Sequence, residues 1–377
     1  MRSVVSAILL LALFAPRVSA QDNSEPDGQD RDFETLFEYY YLRKNTNDVV
    51  RMLKSIQTNK LFDEHESAAV GFAAFLSIVF SENPDKIDEI VKSAKCTGKL
   101  REAVQKGLWM SGNAEKIAEL FGKVPKFAAV KPVGPADRPL KEPGDLDMMW
   151  NAFAASGDAT YAKRVMEVLD ESREITGDKK FDAVMRGAAE WSLGSFVRRH
   201  ELVHRMVRKE LKSQPDEVKK KLRKMLSQIK LPTLEKSDGE LTAGLFIMDD
   251  AALQEFKKPS DEALHLTEKE KARVGDIVAI KIMFTGIKLA DDLKAFVDYD
   301  LQVLDPDGEF YDETDLNHLE ALHGKVGNRF TFFDNEQTTM LRFEPKDKLG
   351  TYTVRATIRD RIGKKSVSLE KKITLSK

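Results

Sequence analysis

Residues 350–360 read GTYTVRATIRD, and this stretch decides the architecture of the C-terminal third of the chain. Tyr352, Val354, Ala356 and Ile358 fall on one parity, while Thr351, Thr353, Arg355, Thr357 and Arg359 fall on the other. Strict alternation predicts a strand with one face on a core and one in water. After a turn at Arg361-Ile362-Gly363, the residues Val367, Leu369, Ile373 and Leu375 share one parity, so a second strand returns beside the first. Upstream, Val278, Ile280, Ile282 and Phe284 alternate with Ile277, Ala279, Lys281 and Met283, which predicts a strand buried on both faces. Val297, Tyr299, Leu301 and Val303 mark another strand. Phe330 with Phe332, and Leu341 with Phe343, mark two more. Asp305-Pro306-Asp307-Gly308 is a turn in which Pro presets φ and Gly accepts a positive φ. Roughly six to eight strands over about 135 residues predict a β-sandwich.

The run Asp347-Lys348-Leu349-Gly350-Thr351-Tyr352 resembles the tyrosine corner of immunoglobulin-like sandwiches. The resemblance implies an antiparallel immunoglobulin-like domain over 241–377. It also implies that the Tyr352 hydroxyl bonds to backbone near Asp347 or Lys346, with Gly350 opening the strand.

The whole chain has 377 residues, too many for one ordinary core, so more than one domain is expected. Hydrophobic residues make up 42% and charged residues 32%, the balance of a globular protein with a well-charged surface. A formal net charge of −2 argues against a chain-wide attraction to nucleic acid. The one cysteine, Cys96, excludes an intramolecular disulfide and a cysteine-rich zinc site.

Met1–Ala20 reads as a signal peptide: Arg2, an apolar run over Val4–Ala15, and a Val18-Ser19-Ala20 cleavage site. No later stretch reaches the ~18 uninterrupted apolar residues of a transmembrane segment. A periplasmic or secreted location is therefore expected. Residues 21–32 are polar and acidic and read as a disordered lead-in.

Residues 33–230 read as an α-helical repeat domain of solenoid type. Apolar helix, tight turn and second helix recur with turns at Ser81-Glu82-Asn83, Ser111-Gly112-Asn113, Ser156-Gly157-Asp158 and Leu193-Gly194-Ser195. Trp109, Trp150 and Trp191 each sit in the first helix of a hairpin, where core packing is expected. A Pro-rich bridge over 122–144 interrupts the array, and 231–240 reads as a linker. Leu146-Asp147-Met148-Met149-Trp150-Asn151-Ala152-Phe153-Ala154-Ala155-Ser156-Gly157-Asp158 carries the pattern L-D-x-x-W-x-x-F-x-x-[ST]-G-D. In this it resembles a group of exported bacterial helical-repeat proteins. The resemblance implies export and helical hairpins but no activity.

The one motif with chemical content is His200-Glu201-Leu202-Val203-His204. Two imidazoles at i and i+4 on a helix can share a Zn²⁺ while the Glu polarises its water, as in zinc peptidases. Arg199 and Arg205 flank it, and a metzincin continuation would need Gly and His where Val207 and Glu210 stand. Aligning the turn at Gly194 with that at Gly157 makes His200 and His204 surface residues instead.

Arg and Lys crowd 198–230, whereas Asp and Glu crowd 289–320. The two blocks predict either solvated faces or a complementary contact. Asp298, Asp300, Asp305 and Asp307 are candidates for a calcium site.

The expectation is an exported, non-catalytic binding or scaffolding protein of the bacterial envelope. It would need no cofactor, and its partner would be an envelope protein or an anionic envelope polymer. The alternatives are a zinc-dependent metallopeptidase using His200, Glu201 and His204, and a glycan- or ligand-binding module on the sandwich.

Overall fold

Twelve helices build the first part of the chain in a computed structural model that describes residues 33–64, 66–229, 232–257 and 268–377. The expected signal peptide and lead-in lie outside the described residues. Two units emerge, one ending at Gln228 and the other running from Ile229 to Lys377.

The helices are α1 (Phe33–Glu38), α2 (Thr46–Asn59), α3 (Leu61–Glu64), α4 (Glu66–Glu82), α5 (Ile87–Ala94), α6 (Gly98–Met110) and α7 (Glu115–Phe121). Then come α8 (Pro143–Ser156), α9 (Ala159–Glu167), α10 (Lys179–Arg199), α11 (Glu201–Glu210) and α12 (Asp216–Ser227). Helix α4, ESAAVGFAAFLSIVFSE, is apolar nearly all round, so it must be covered on more than one side. It packs along α6 and α8. Close approach depends on glycine: a Cβ at Gly107 would lie 2.8 Å from that of Leu76, and one at Gly71 2.8 Å from Asn151 Nδ2.

Three of the four expected turns are present. Gly112 and Gly157 take positive φ at the ends of α6 and α8, and Asp158 caps α9 by accepting from the Thr160 amide at 2.9 Å. The fourth is not a turn. Gly194 lies inside α10 and faces α12, where a Cβ would stand 3.7 Å from Met225 Cγ, and the chain breaks six residues later at His200. The Pro-rich bridge is tied down rather than loose. Arg164 donates to the carbonyls of Pro135, Ala136 and Arg138, and the Trp109 indole donates to the Val130 carbonyl at 2.8 Å. Trp109 is half-buried and packs against the core of the helical unit, as expected.

The second unit holds β1 (Lys236–Asp238), β2 (Leu241–Met248), α13 (Asp250–Lys257), β3 (Lys271–Arg273), β4 (Ile277–Thr285), β5 (Lys294–Leu304), β6 (Phe310–Lys325), β7 (Phe333–Asp334), β8 (Thr339–Arg342), β9 (Gly350–Asp360) and β10 (Lys365–Ser376). One sheet runs β1-β2-β4-β7, with β8 also on β4, and the other runs β3-β10-β9-β5-β6. They form a β-sandwich. Every pair is antiparallel except β3 with β10, a departure from the all-antiparallel expectation. β4 is buried on both faces because Leu253 and Phe256 of α13 cover Ala279 and Met283 on its outer side, together with Met248 of the neighbouring β2. The stretch read as linker enters the fold, since Lys236–Asp238 pairs with β2. The strand expected at Phe330 and Phe332 is displaced, and Phe333 enters the core instead. Among the described residues, no helix is long and apolar enough to cross a membrane.

β9 keeps the parity read from the sequence: Tyr352, Val354, Ala356 and Ile358 are buried. The Tyr352 hydroxyl donates to the Lys348 carbonyl at 3.0 Å, one residue beyond the expected Asp347 or Lys346. The Asp347 carboxylate instead accepts from the Tyr311 hydroxyl and the Glu344 amide, both at 2.6 Å. Gly350, at φ 140°, lets the strand start against Pro306 of the β5–β6 turn. Tyr352→Phe should lower the stability of the sandwich by about 1 kcal/mol, one buried hydrogen bond. Chemical denaturation checks this, with an unchanged slope and a lower midpoint expected.

Candidate functional site

The HELVH segment straddles a helix break. α10 ends at Arg199, His200 is extended (φ −122°, ψ 116°), and its carbonyl accepts from the His204 amide as the first bond of α11. His200 therefore caps the helix that carries His204. The premise of two imidazoles one turn apart on a single helix is not met.

Both histidines are buried, against the expectation that they face solvent, and His200 has 0% exposure. The reason is the break, which resets the phase that an unbroken hairpin alignment assumes. The His200 ring stacks on Phe196 (4.9 Å, 14°) and meets Phe153 edge-on (5.1 Å). The Tyr41 hydroxyl lies 3.2 Å from Nδ1, and Glu38 Oε1 lies 3.0 Å from Nε2, off the line of a straight hydrogen bond. Arg199 reaches Glu38 at 3.2 Å, and the Arg199 carbonyl accepts from the Tyr39 hydroxyl at 2.9 Å.

Charge follows from these contacts. Burial pushes the Glu38 carboxyl up, but the contact with the His200 ring and the Arg199 charge outweigh it and hold it below the usual range. Burial lowers His200, more than Glu38 raises it. The consistent assignment is a carboxylate on Glu38 and a neutral His200 with its proton on Nε2, so that Nδ1 accepts from Tyr41. Burial and the Glu38 charge push the Tyr39 and Tyr41 phenols up, keeping both as donors. Glu201 is buried and paired with Arg205 at 2.9 Å. Among the described residues, no group of three His, Cys, Asp or Glu is placed to hold a metal. Cys96 is buried, and burial pushes its thiol up to about 11.

The calcium candidates do not converge. Asp298 and Asp300 on β5 pair with Arg359, and Asp298 also with Arg361. Asp305 and Asp307 both pair with Lys348 at 2.6 Å. Cations of the sandwich itself thus neutralise much of the acidic block.

The basic block differs. Lys219 and Lys221 find Asp216 and Glu171, and Lys163 takes Glu210. Arg198, Arg208, Lys209, Lys212, Lys220, Arg223 and Lys224 are exposed and form no ion pair among the described residues. They lie on α11 and the turn after it, on α12, and at the end of α10, the helix on which both α11 and α12 pack.

A slot opens between α8 and α10, lined by Asp147, Trp150, Trp191, Ser192, Ser195, Phe196 and Arg199. Trp150 is buried and stacks on Phe196 at 3.9 Å, yet its Nε1–H has no hydrogen-bond partner among the described residues. Burial alone pushes Asp147 up to about 7. Trp191, expected in the core, is 50% exposed at the mouth. In the sequence Asp147 stands only as part of the family pattern, and Trp150 as a core residue, which it is. An acid on a helix this apolar was the available signal. A larger open depression of about 700 Å³ lies over the Pro-rich bridge, but there Asp145 already pairs with Arg138 and caps α8.

The chain is thus a helical-hairpin unit followed by a two-sheet β-sandwich. No protein-family model matches it, and no curated protein does. Among solved structures it is similar to a family 123 glycoside hydrolase from Clostridium perfringens, at 13% identity and TM-score 0.22, over 36% of this chain and 27% of that one. It is also similar to a Niemann-Pick type C2 protein from Japanese carpenter ant, at 9% identity and TM-score 0.20, over 35% and 89%. A third is the alkylpurine DNA glycosylase AlkC of Pseudomonas fluorescens, at 10% identity and TM-score 0.21, over 88% and 87%. The chain spans about a quarter of the glycoside hydrolase. Superpositions this loose carry no inference about activity.

His200→Ala should destabilise the helical unit by roughly 2–4 kcal/mol, because it leaves a cavity and takes a partner from the buried Glu38. This exceeds by far what a surface histidine would show. Thermal unfolding followed by circular dichroism reads the difference.

Proposed function

We propose that the protein is exported and acts in the bacterial envelope as a non-catalytic binding protein, with the basic surface of α11 and α12 gripping an anionic envelope polymer. The observation that carries this reading is the set of unpaired exposed cations: Arg208, Lys209, Lys212, Lys220, Arg223 and Lys224. In the acidic block most described carboxylates have partners within the sandwich, so the basic block has the stronger need for an outside anion. Long basic side chains on two helices that both pack on α10 present charge over a broad surface, which suits a polymer of repeated anionic groups better than one small ligand. The signal-peptide pattern at Met1–Ala20 supports export.

Binding of the mature chain to purified lipopolysaccharide and to lipoteichoic acid tests the proposal. Saturable binding at low ionic strength is expected to at least one of them, weakening steeply toward physiological salt. Reversing charge at Lys220, Arg223 and Lys224 together should lower the affinity by about tenfold or more. Binding that ignores both salt and charge reversal would contradict it, as would tighter binding to a nucleic-acid duplex than to either polymer.

A further inference from the structure

We propose that the slot between α8 and α10 is a sugar subsite, in which one hydroxyl of a neutral pyranose enters between Asp147 and Trp150 while its ring lies against Trp191. This deepens the polymer reading, on which it rests for its choice of ligand source, by assigning the residues that read a sugar unit rather than its charge.

Two helices supply the parts. Asp147 and Trp150, three residues apart, share a face of α8, and Trp191, Ser195 and Arg199 recur at four on α10. The Asp147 carboxylate forms no hydrogen bond or ion pair among the described residues, and neither does the Ser195 hydroxyl. The buried Trp150 Nε1–H is likewise unpartnered there. A buried donor is nearly always satisfied, so the unpartnered Trp150 Nε1–H points to a missing acceptor, and the half-buried Asp147 carboxylate beside it suits a group that also donates. A hydroxyl does so: its hydrogen goes to the carboxylate, and its oxygen accepts from the indole. An ammonium cannot accept from Trp150, and a carboxylate would meet the charge of Asp147. The enclosed space, about 10 Å³, admits one oxygen-sized group and leaves the ring outside. There, Trp191 is half-exposed beside it, an indole face on which the C–H face of a pyranose can lie. Arg198, one heptad further along α10, is also exposed and places a cation on the same helix face as Trp191.

The test titrates the mature chain with neutral gluco-, galacto-, manno- and N-acetylglucosamine oligosaccharides, following tryptophan fluorescence and calorimetry. At least one series should bind saturably, with little dependence on salt. Trp191→Ala and Asp147→Ala should each weaken it by about tenfold or more, with Trp191→Phe retaining part of the affinity. Circular dichroism verifies that each variant folds. The Lys220, Arg223 and Lys224 charge-reversal variant should bind the neutral sugar as the wild type does. Absence of binding at about 10 mM sugar overturns the proposal and assigns the slot to a trapped water. Binding that survives Trp191→Ala overturns it equally. A chain that binds neutral sugar but no anionic polymer keeps this subsite and loses the polymer reading; the reverse outcome loses only the subsite.

Discussion

The helical unit depends on one buried imidazole. His200 sits at the joint between α10 and α11, yet its partners Glu38, Tyr39 and Tyr41 come from the first helix and the turn after it, about 160 residues away in sequence. Such a contact closes a long loop, so each bond in it must offset a large loss of chain freedom. The Tyr39 and Tyr41 hydroxyl bonds, the Arg199–Glu38 ion pair and the stacked rings of Phe196 and His200 supply that stabilisation in a medium of low dielectric. If the imidazole is removed, a carboxylate remains buried with Arg199 as its main compensation.

The same joint determines which chemistry the segment can perform. A catalytic zinc needs ligands that converge with an open coordination position. Here His200 turns toward Glu38 and Tyr41, Glu201 toward Arg205, and the helix break separates His200 from the turn that carries His204. The motif acts as a brace between distant helices. Chemistry on the outside is then left to the surface: unpaired cations on α11 and α12, and the slot bordered by Asp147 and Trp191.

Legibility in the sequence followed the range of the interaction. Alternation in β9 and β10, the Asp305–Gly308 turn and the glycine turns at Gly112 and Gly157 rest on local rules, and all are present. Gly194 was misread because a glycine that lets two helices approach looks the same in sequence as one that ends a helix. That error displaced the break by six residues and turned His200 and His204 outward. The calcium reading failed because nothing near Asp298 or Asp305 in sequence announces Arg359, Arg361 or Lys348. Trp191 carries the apolar signature of a core residue, and only tertiary packing leaves it exposed.

The state of His200 tests the account most directly, by nitrogen-detected NMR of the imidazole across a pH titration. Glu38 is held low and remains ionised, and burial holds His200 below its ordinary value near 6.5. The folded protein therefore resists a proton that the unfolded chain accepts, and stability should fall as pH drops below about 6.5. The account predicts a single neutral tautomer, Nε2 protonated and Nδ1 bare, persisting below that pH, and no change on adding one equivalent of zinc. An imidazole that titrates at its ordinary value, or one whose resonances shift together with those of His204 when zinc is added, would contradict it.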